Sequence, residues 1–420
     1  MRRRNVLGAA AALGLVGCTD PEPAASSTPP LIPTDWTSVR AQFAIDRNVA
    51  HLTTFALAPH PAAVRVAIEK HRAGLDADPI GYLHDHEQER DAAVAAGASG
   101  YLGIPAEQIA FTHSTTAGLG LLYSGLRLAR GDEVLTTEHD FFSTHEALRL
   151  RSERDGVTVR RVRLYADPAA ASVDEIVGNL VRAVTPRTKV VAVTWVHSST
   201  GVKLPVRAIA DALRGRGSLL CVDGVHGFGA EDADLASLGC DFLVSGCHKW
   251  LLGPRGTGLI AGTPAGWERY LPIVPPFQAE SFAAWFGQAG TAPPPGPAAS
   301  PGGYHAFEHR WALADAFGFH KAIGKSRVAA RTRELATALK DGLAGVSKVR
   351  LVTPKTPELS AGIVCCEVAG LAPGAAVERL RESKVIASTT PYQRTFLRFG
   401  ATIANDESDV EAALKAVRAL

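Results

Sequence analysis

Lys249 is the residue of this chain best placed for covalent chemistry. It stands in Ser245-Gly246-Cys247-His248-Lys249-Trp250-Leu251-Leu252-Gly253-Pro254-Arg255-Gly256-Thr257-Gly258, directly after the apolar run Phe242–Ser245. A lysine emerging at a strand end among bulky neighbours loses its proton through desolvation and becomes a Schiff-base amine. Alone it would read as a surface lysine beside a turn. Earlier, Leu219-Leu220-Cys221-Val222-Asp223-Gly224-Val225-His226 forms a second apolar run, and this one ends in an acid. Alone, Asp223 would read as a capping acid in an Asp-Gly turn. Together, the amine and the carboxylate suit pyridoxal 5′-phosphate, which needs a lysine for its aldehyde and a carboxylate that keeps its ring nitrogen protonated.

A third segment, Phe111-Thr112-His113-Ser114-Thr115-Thr116-Ala117-Gly118, takes a strand into a helix through small hydroxylated residues. Free amides and the positive dipole end at such a helix start bind phosphate, and the hydroxyls add donors. Ser and Thr cap many helices, so this segment gains meaning only beside Lys249 and Asp223.

These residues need a scaffold that holds strand ends side by side. From about residue 105 the chain alternates short β-rich runs with helical patterns, the mark of crossover units on a mostly parallel sheet. Seven strands are expected: Ile109–Thr112, Glu133–Thr137, Val157–Leu164, Lys189–Val196, Leu219–Asp223, Phe242–Ser245 and Gly258–Ala261. Helices are expected over Thr116–Ala129, Val173–Val184 with Ser172 as N-cap, and Val206–Arg214, and a further one from Pro61 to about Arg72. Ligands of such a sheet bind beyond the carboxyl ends of its strands. Residues 271–303, rich in proline and glycine, read as a long loop or boundary. Beyond it come helices from Ala306 to about Leu343, two apolar runs and a terminal helix over Glu407–Leu420. The expected class is therefore α/β. A large domain over residues 46–300 carries the seven-stranded, mostly parallel sheet flanked by helices; residues 301–420 supply a connecting helix and a smaller C-terminal α+β domain.

The chain has 420 residues, with 44 Lys plus Arg against 42 Asp plus Glu. That composition fits a folded protein and gives no electrostatic reason for nucleic-acid binding. Arg2, Arg3 and Arg4 precede an apolar stretch from Val6 to Gly17 that is too short to span a bilayer. Arg3-Arg4 reads as a twin-arginine export pair, and Leu15-Val16-Gly17-Cys18 as a lipobox whose cysteine is acylated. Residues 1–18 are then an export signal with lipobox, and residues 19–45 a flexible tether, proline-rich over 19–34, and an entry segment into the folded body. The expected location is the bacterial membrane surface, facing periplasm or cell exterior, with the lipid at Cys18 as sole membrane contact. Six cysteines, at 18, 221, 240, 247, 365 and 366, show neither a disulfide framework nor zinc spacing. Cys365 and Cys366 read as core thiols. His84-Asp85-His86-Glu87 reads as a solvated or substrate-lining segment, because four successive residues cannot converge on one ion; no metal is expected.

The Asp-x-x-His and His-Lys-Trp-Leu motifs, with the Thr115 segment, resemble fold-type I pyridoxal phosphate enzymes of the class V aminotransferase group, over most of residues 46–420. The look is nearest to isopenicillin N epimerase-like members. The resemblance implies that Lys249 binds the cofactor aldehyde and Asp223 pairs with its ring nitrogen. It implies that Thr115, Thr116, Ser245 and His248 hold the phosphate, that His226 neighbours the ring hydroxyl, and that His139 stacks on the ring. Ser198 falls where many relatives carry an Asn facing the ring hydroxyl. Arg398 matches the arginine that fixes a substrate carboxylate. Cysteine desulfurases of this group carry a nucleophilic cysteine shortly before that arginine, whereas no cysteine here follows Cys366. Glu308-His309-Arg310-Trp311 replaces a Glu-x-Gly-Thr segment that reaches the partner subunit's phosphate, leaving Arg310 as a candidate for that contact. A homodimer is implied. The expected activity is epimerisation or transamination at the α-carbon of an amino acid or related amine. The alternatives are lyase or hydrolase chemistry and a lipid-anchored binding protein without turnover.

Overall fold

A computed structural model describes residues 29–288, 290 and 292–420. The export pair, the lipobox and the first part of the tether lie outside the described residues. Seven strands form the large sheet: β1 (Ile109–Thr112), β2 (Glu133–Thr137), β3 (Thr158–Val162), β4 (Thr188–Thr194), β5 (Leu219–Asp223), β6 (Phe242–Gly246) and β7 (Gly258–Gly262). Their order is β1-β7-β6-β5-β4-β2-β3. Only β7 runs antiparallel to its neighbours, so the other six share one direction and one carboxyl edge.

Strands β5, β6 and β7 are buried along their whole length, which is why they appear in the sequence as unbroken apolar runs rather than alternating ones. Successive side chains point to opposite faces. Leu220 and Val222 join one core with Ile176, Leu180, Ile209 and Leu213 of the helices Val173–Ala183 and Val206–Leu213. Leu219 and Cys221 join another with Leu119, Leu122 and Leu148 of the helices Thr115–Gly125 and Phe142–Asp155. Each fully buried Val or Leu contributes about 1.5–3 kcal/mol relative to exposure.

The small lobe is a four-stranded antiparallel sheet of β8 (Val349–Leu351), β9 (Ile363–Val368), β10 (Ser388–Thr389) and β11 (Leu397–Gly400), in the order β10-β11-β9-β8. Leu335, Leu339 and Leu343 of helix Lys325–Ala344 and Val410 and Val417 of helix Glu407–Ala419 complete its core. Fold class and the two-sheet layout agree with the sequence reading.

Several local expectations change. Residues 50–52 do not side with the large sheet: Ala50–His51 pairs in parallel with Val385–Ile386, and Ala50 and Leu52 sit in the small-lobe core. A two-residue strand is too short to carry any periodicity. The helix beginning after Pro61 runs over Ala62–Ala77, longer than expected, with Pro61 as its extended cap. A helix over Pro79–Leu102 had no amphipathic signal; Asp78 caps it by accepting from the Gly81 amide, and Gly103, at φ 68°, ends it. Strand β3 is shorter than expected and partly exposed, as befits a sheet edge. Within 271–303 lie two short helices, Ala279–Trp285 and Pro295–Ala299.

Candidate active site

The carboxyl ends of β5 and β6 lie side by side, with Asp223 in register with Val244, and this brings Asp223 and Lys249 into one site. Lys249 Nζ lies 3.2 Å from His226 Nε2. Trp250 Nε1 donates to His226 Nδ1 at 3.2 Å. An indole N–H only donates, so Nδ1 is the bare nitrogen of a neutral imidazole and the ring proton sits on Nε2, aimed at Lys249. Burial holds His226 well below the usual imidazole range, helped by the charges of Lys249 and Arg398. The Nε2–H therefore meets a lone pair, which only a neutral lysine offers. Burial lowers the Lys249 amine to about 8; Asp223 opposes the shift and Arg398 assists it. Asp223 is 2% exposed. Burial raises its carboxyl to about 6, although the Val225 amide donates to it and Lys249 lies nearby.

A cradle adjoins this pair. Ser114 caps helix Thr115–Gly125 by accepting from the Ala117 amide, and amides of the first helical turn have no intrahelical acceptor. The Gly246 amide donates to Thr115 Oγ1 at 2.7 Å, which leaves the threonine O–H free to donate. Thr116 Oγ1 lies 3.0 Å from Ser143 Oγ. Ser245 Oγ donates to the Gly246 carbonyl and would rotate to serve a ligand. His248 is held down at about 4 by burial and by the charges of Lys249 and Arg255. A Cβ on Gly246 would stand 2.9 Å from the His248 ring and 3.0 Å from Thr115 Oγ1. Glycine is thus what lets the backbone pass between the two groups.

His139 stacks on Tyr165, ring centroids 4.0 Å apart and 10° from parallel. Tyr165 covers one face of the imidazole, so only the opposite face is left for a ligand ring. The Tyr165 hydroxyl lies 2.9 Å from both His197 Nδ1 and Thr200 Oγ1. Asp140 pins the turn that presents His139, accepting from Thr136 Oγ1 and from the amides of Thr137 and Thr194. Among the described residues, His139 Nε2 is buried without a hydrogen-bond partner.

The small lobe contributes Arg398 from β11. Its Nε donates to Ser388 Oγ at 3.1 Å and its Nη1 to the Ser198 carbonyl at 3.2 Å, while the guanidinium lies 5.1 Å from the Phe55 ring centroid. Among the described residues Nη2 makes no hydrogen bond. Ser198 Oγ lies 2.8 Å from the Tyr392 hydroxyl. Tyr392 and Tyr165, absent from the sequence reading, lie on loops whose neighbours carry no periodic signal. Both line an inter-lobe cleft of about 670 Å³ with His139, Thr200, Arg394 and Phe396.

Of the residues singled out from sequence, His139 lines this cleft. Lys249 lies against His226 and near the charges of Asp223 and Arg398, and Arg398 bonds Ser198, while Thr115, Thr116, Ser245 and His248 surround the cradle. The Arg310 guanidinium stacks 3.7 Å from the centroid of its own chain's Phe111, and burial lowers it to about 10. His84–Glu87 lie on helix Pro79–Leu102, with the His84 side chain 88% exposed. The donor set fits pyridoxal phosphate: an amine for the aldehyde, a buried carboxylate for the ring nitrogen, and hydroxyls with helix amides for the phosphate.

The family model described as Aminotransferase class-V matches residues 58–412. Isopenicillin N epimerase of Amycolatopsis lactamdurans is 29% identical over 359 residues, 79% of this chain and 84% of that protein. Isopenicillin N epimerase of Streptomyces clavuligerus is 28% identical over 404 residues, 92% of this chain and 98% of that protein. Among solved structures, the cystine C-S lyase C-DES in complex with its product cysteine persulfide superimposes with a TM-score of 0.81 at 21% identity, over 89% of this chain and 98% of that one.

Proposed function

The chain belongs to the aminotransferase class-V family, and on that premise we propose that it is a pyridoxal 5′-phosphate enzyme that moves the α-proton of an amino acid, with epimerisation as its leading outcome. Bound at this site, the cofactor supplies an electron sink for the carbon beside the substrate amine. Asp223 keeps the ring nitrogen protonated. The hydroxyls of Thr115 and Thr116, the helix amides and His248 hold the phosphate. Arg398 offers Nη2 to a substrate carboxylate, which places the α-carbon beside Lys249. Lys249, once free, takes the α-proton on Nζ, and an amine at about 8 is suited to both accepting and returning it.

The observation that carries this reading is the chain Trp250–His226–Lys249, which presents a proton to the amine's lone pair and so favours the neutral base. Transamination shares every step up to proton removal. Desulfuration by a protein thiol finds no support among the described residues: Cys221, Cys240, Cys247, Cys365 and Cys366 are all buried, and burial pushes each thiol up, away from the reactive thiolate. We propose further that the protein is exported folded, anchored through Cys18, and active as a homodimer. To test the reaction, holoenzyme is incubated with the common L-amino acids in deuterium oxide. Incorporation of α-deuterium with D-isomer supports epimerisation, keto acid supports transamination, and no exchange at any substrate refutes the enzyme reading.

A further inference from the structure

Epimerisation needs a proton taken from one face of a carbon and one given to the other, and Lys249 lies beside His226 and Trp250, within reach of the Arg398 charge. On the cleft side, next to His139 and Tyr165, stands Tyr392. Its ring meets Phe141 edge-on, centroids 6.0 Å apart, and its hydroxyl lies 2.8 Å from Ser198 Oγ. The carbonyl of that same Ser198 accepts from Arg398 Nη1. One residue thus ties the phenol to the guanidinium that would hold the substrate carboxylate. Among its neighbours, burial and the charges of Asp140 and Asp223 push the phenol above its ordinary value, while the Ser198 hydrogen bond and Arg398 pull the other way. The hydroxyl is therefore protonated at neutral pH and able to donate. His139, also on this wall, is stacked flat on Tyr165.

Resting on the epimerase reading, we propose that Tyr392 is the second proton-transfer residue, acting on the α-carbon face opposite Lys249. In the L-to-D direction the α C–H bond breaks and its proton joins the Lys249 amine, giving ammonium. The Tyr392 O–H bond then breaks, its proton forms the new C–H bond, and a phenolate remains, held by the Ser198 hydroxyl and the nearby Arg398. Solvent in the open cleft reprotonates the phenolate and takes the proton from the ammonium, so charge and atoms balance over the cycle. In the D-to-L direction the same steps run backwards from the ionised pair: the Tyr392 phenolate takes the α-proton, the Lys249 ammonium gives a proton to the other face, and solvent restores both charges.

The test compares wild-type holoenzyme with Tyr392→Phe and Ser198→Ala in deuterium oxide, using whichever common L-amino acid gives most α-deuterium with the wild type. Melting temperature and the visible band of bound cofactor report folding and loading, and a titration of that band reports substrate affinity. Tyr392→Phe is expected to keep the band and bind substrate within about threefold, and to incorporate α-deuterium with retained L-configuration. D-isomer formation is expected to fall about 100-fold or more, the scale of a lost general acid; Ser198→Ala is expected to show a smaller fall. Undiminished D-isomer from Tyr392→Phe overturns the role of Tyr392 alone, as does an equal fall in exchange and D-isomer. Wild-type protein that gives keto acid without D-isomer, or no exchange at all, overturns the epimerase reading and this role with it.

Discussion

Replacing Trp250 by Phe tests whether a second residue sets the basicity of Lys249. The substitution keeps an aromatic ring against Phe55, whose centroid lies 5.9 Å from that of Trp250, and deletes the N–H that donates to His226 Nδ1. With that donor gone, the imidazole proton can move to Nδ1 and Nε2 can accept. A lysine ammonium donates to an accepting Nε2, whereas the wild-type tautomer favours only the neutral amine. The tautomer preference lost is that of one hydrogen bond, about 0.5–1.5 kcal/mol net, and 1.36 kcal/mol corresponds to one pKa unit. Lys249 should then rise from about 8 by up to about one unit, and its neutral fraction at pH 7 should fall from about a tenth to about a hundredth. The assay is the pH dependence of acylation of Lys249 in cofactor-free protein, followed by peptide mass spectrometry. The midpoint should move to higher pH in Trp250→Phe, and α-proton exchange by the holoenzyme should slow most at neutral pH and recover as pH rises. A midpoint that stays put, or moves down, in a folded variant refutes the tautomer argument.

Three further outcomes follow from the same geometry. Asp223→Asn removes a buried anion, and since a hydrogen bond to a charged group is worth about 1.5–3 kcal/mol, cofactor titration should show affinity weakened by about 10- to 150-fold with the fold retained. Gly246→Ala drives a methyl group against the His248 ring and Thr115 Oγ1, so pyridoxal phosphate should bind more weakly while pyridoxal, lacking the phosphate, is affected far less. Two Arg331 hydrogen bonds, at 2.6 and 2.9 Å, hold Glu407 down at about 2, below its ordinary 4.5. A depressed folded value means stability that is present above about 4.5 and lost as pH falls towards about 2. Urea midpoints should drop through that window in the wild type, and less steeply in Glu407→Gln.

Most strands of the large sheet were legible because they are short and apolar; β1, β2 and β5 have the bounds read from the chain, whereas edge strand β3, with Arg160 and Arg161, is partly exposed. Lys249 and Asp223 were legible for a related reason: a charged residue at or just past the end of a buried strand has few structural roles. The helix over Pro79–Leu102 escaped notice because alanine and polar residues alternate along it without a dominant face. The stacking of Arg310 on Phe111 escaped because a stacked, desolvated guanidinium has no sequence pattern of its own.

Local hydrophobic order thus determined the α/β class, the strand ends and the amine-carboxylate pair that lies on them. Tertiary structure alone decided that Trp250 sets the tautomer of His226, that residues 50–52 complete the small lobe, and that Tyr392 meets Ser198 beside Arg398. Those contacts join segments far apart along the chain, and they form only once the whole fold is assembled. No period of 2 or 3.6 residues records such a meeting.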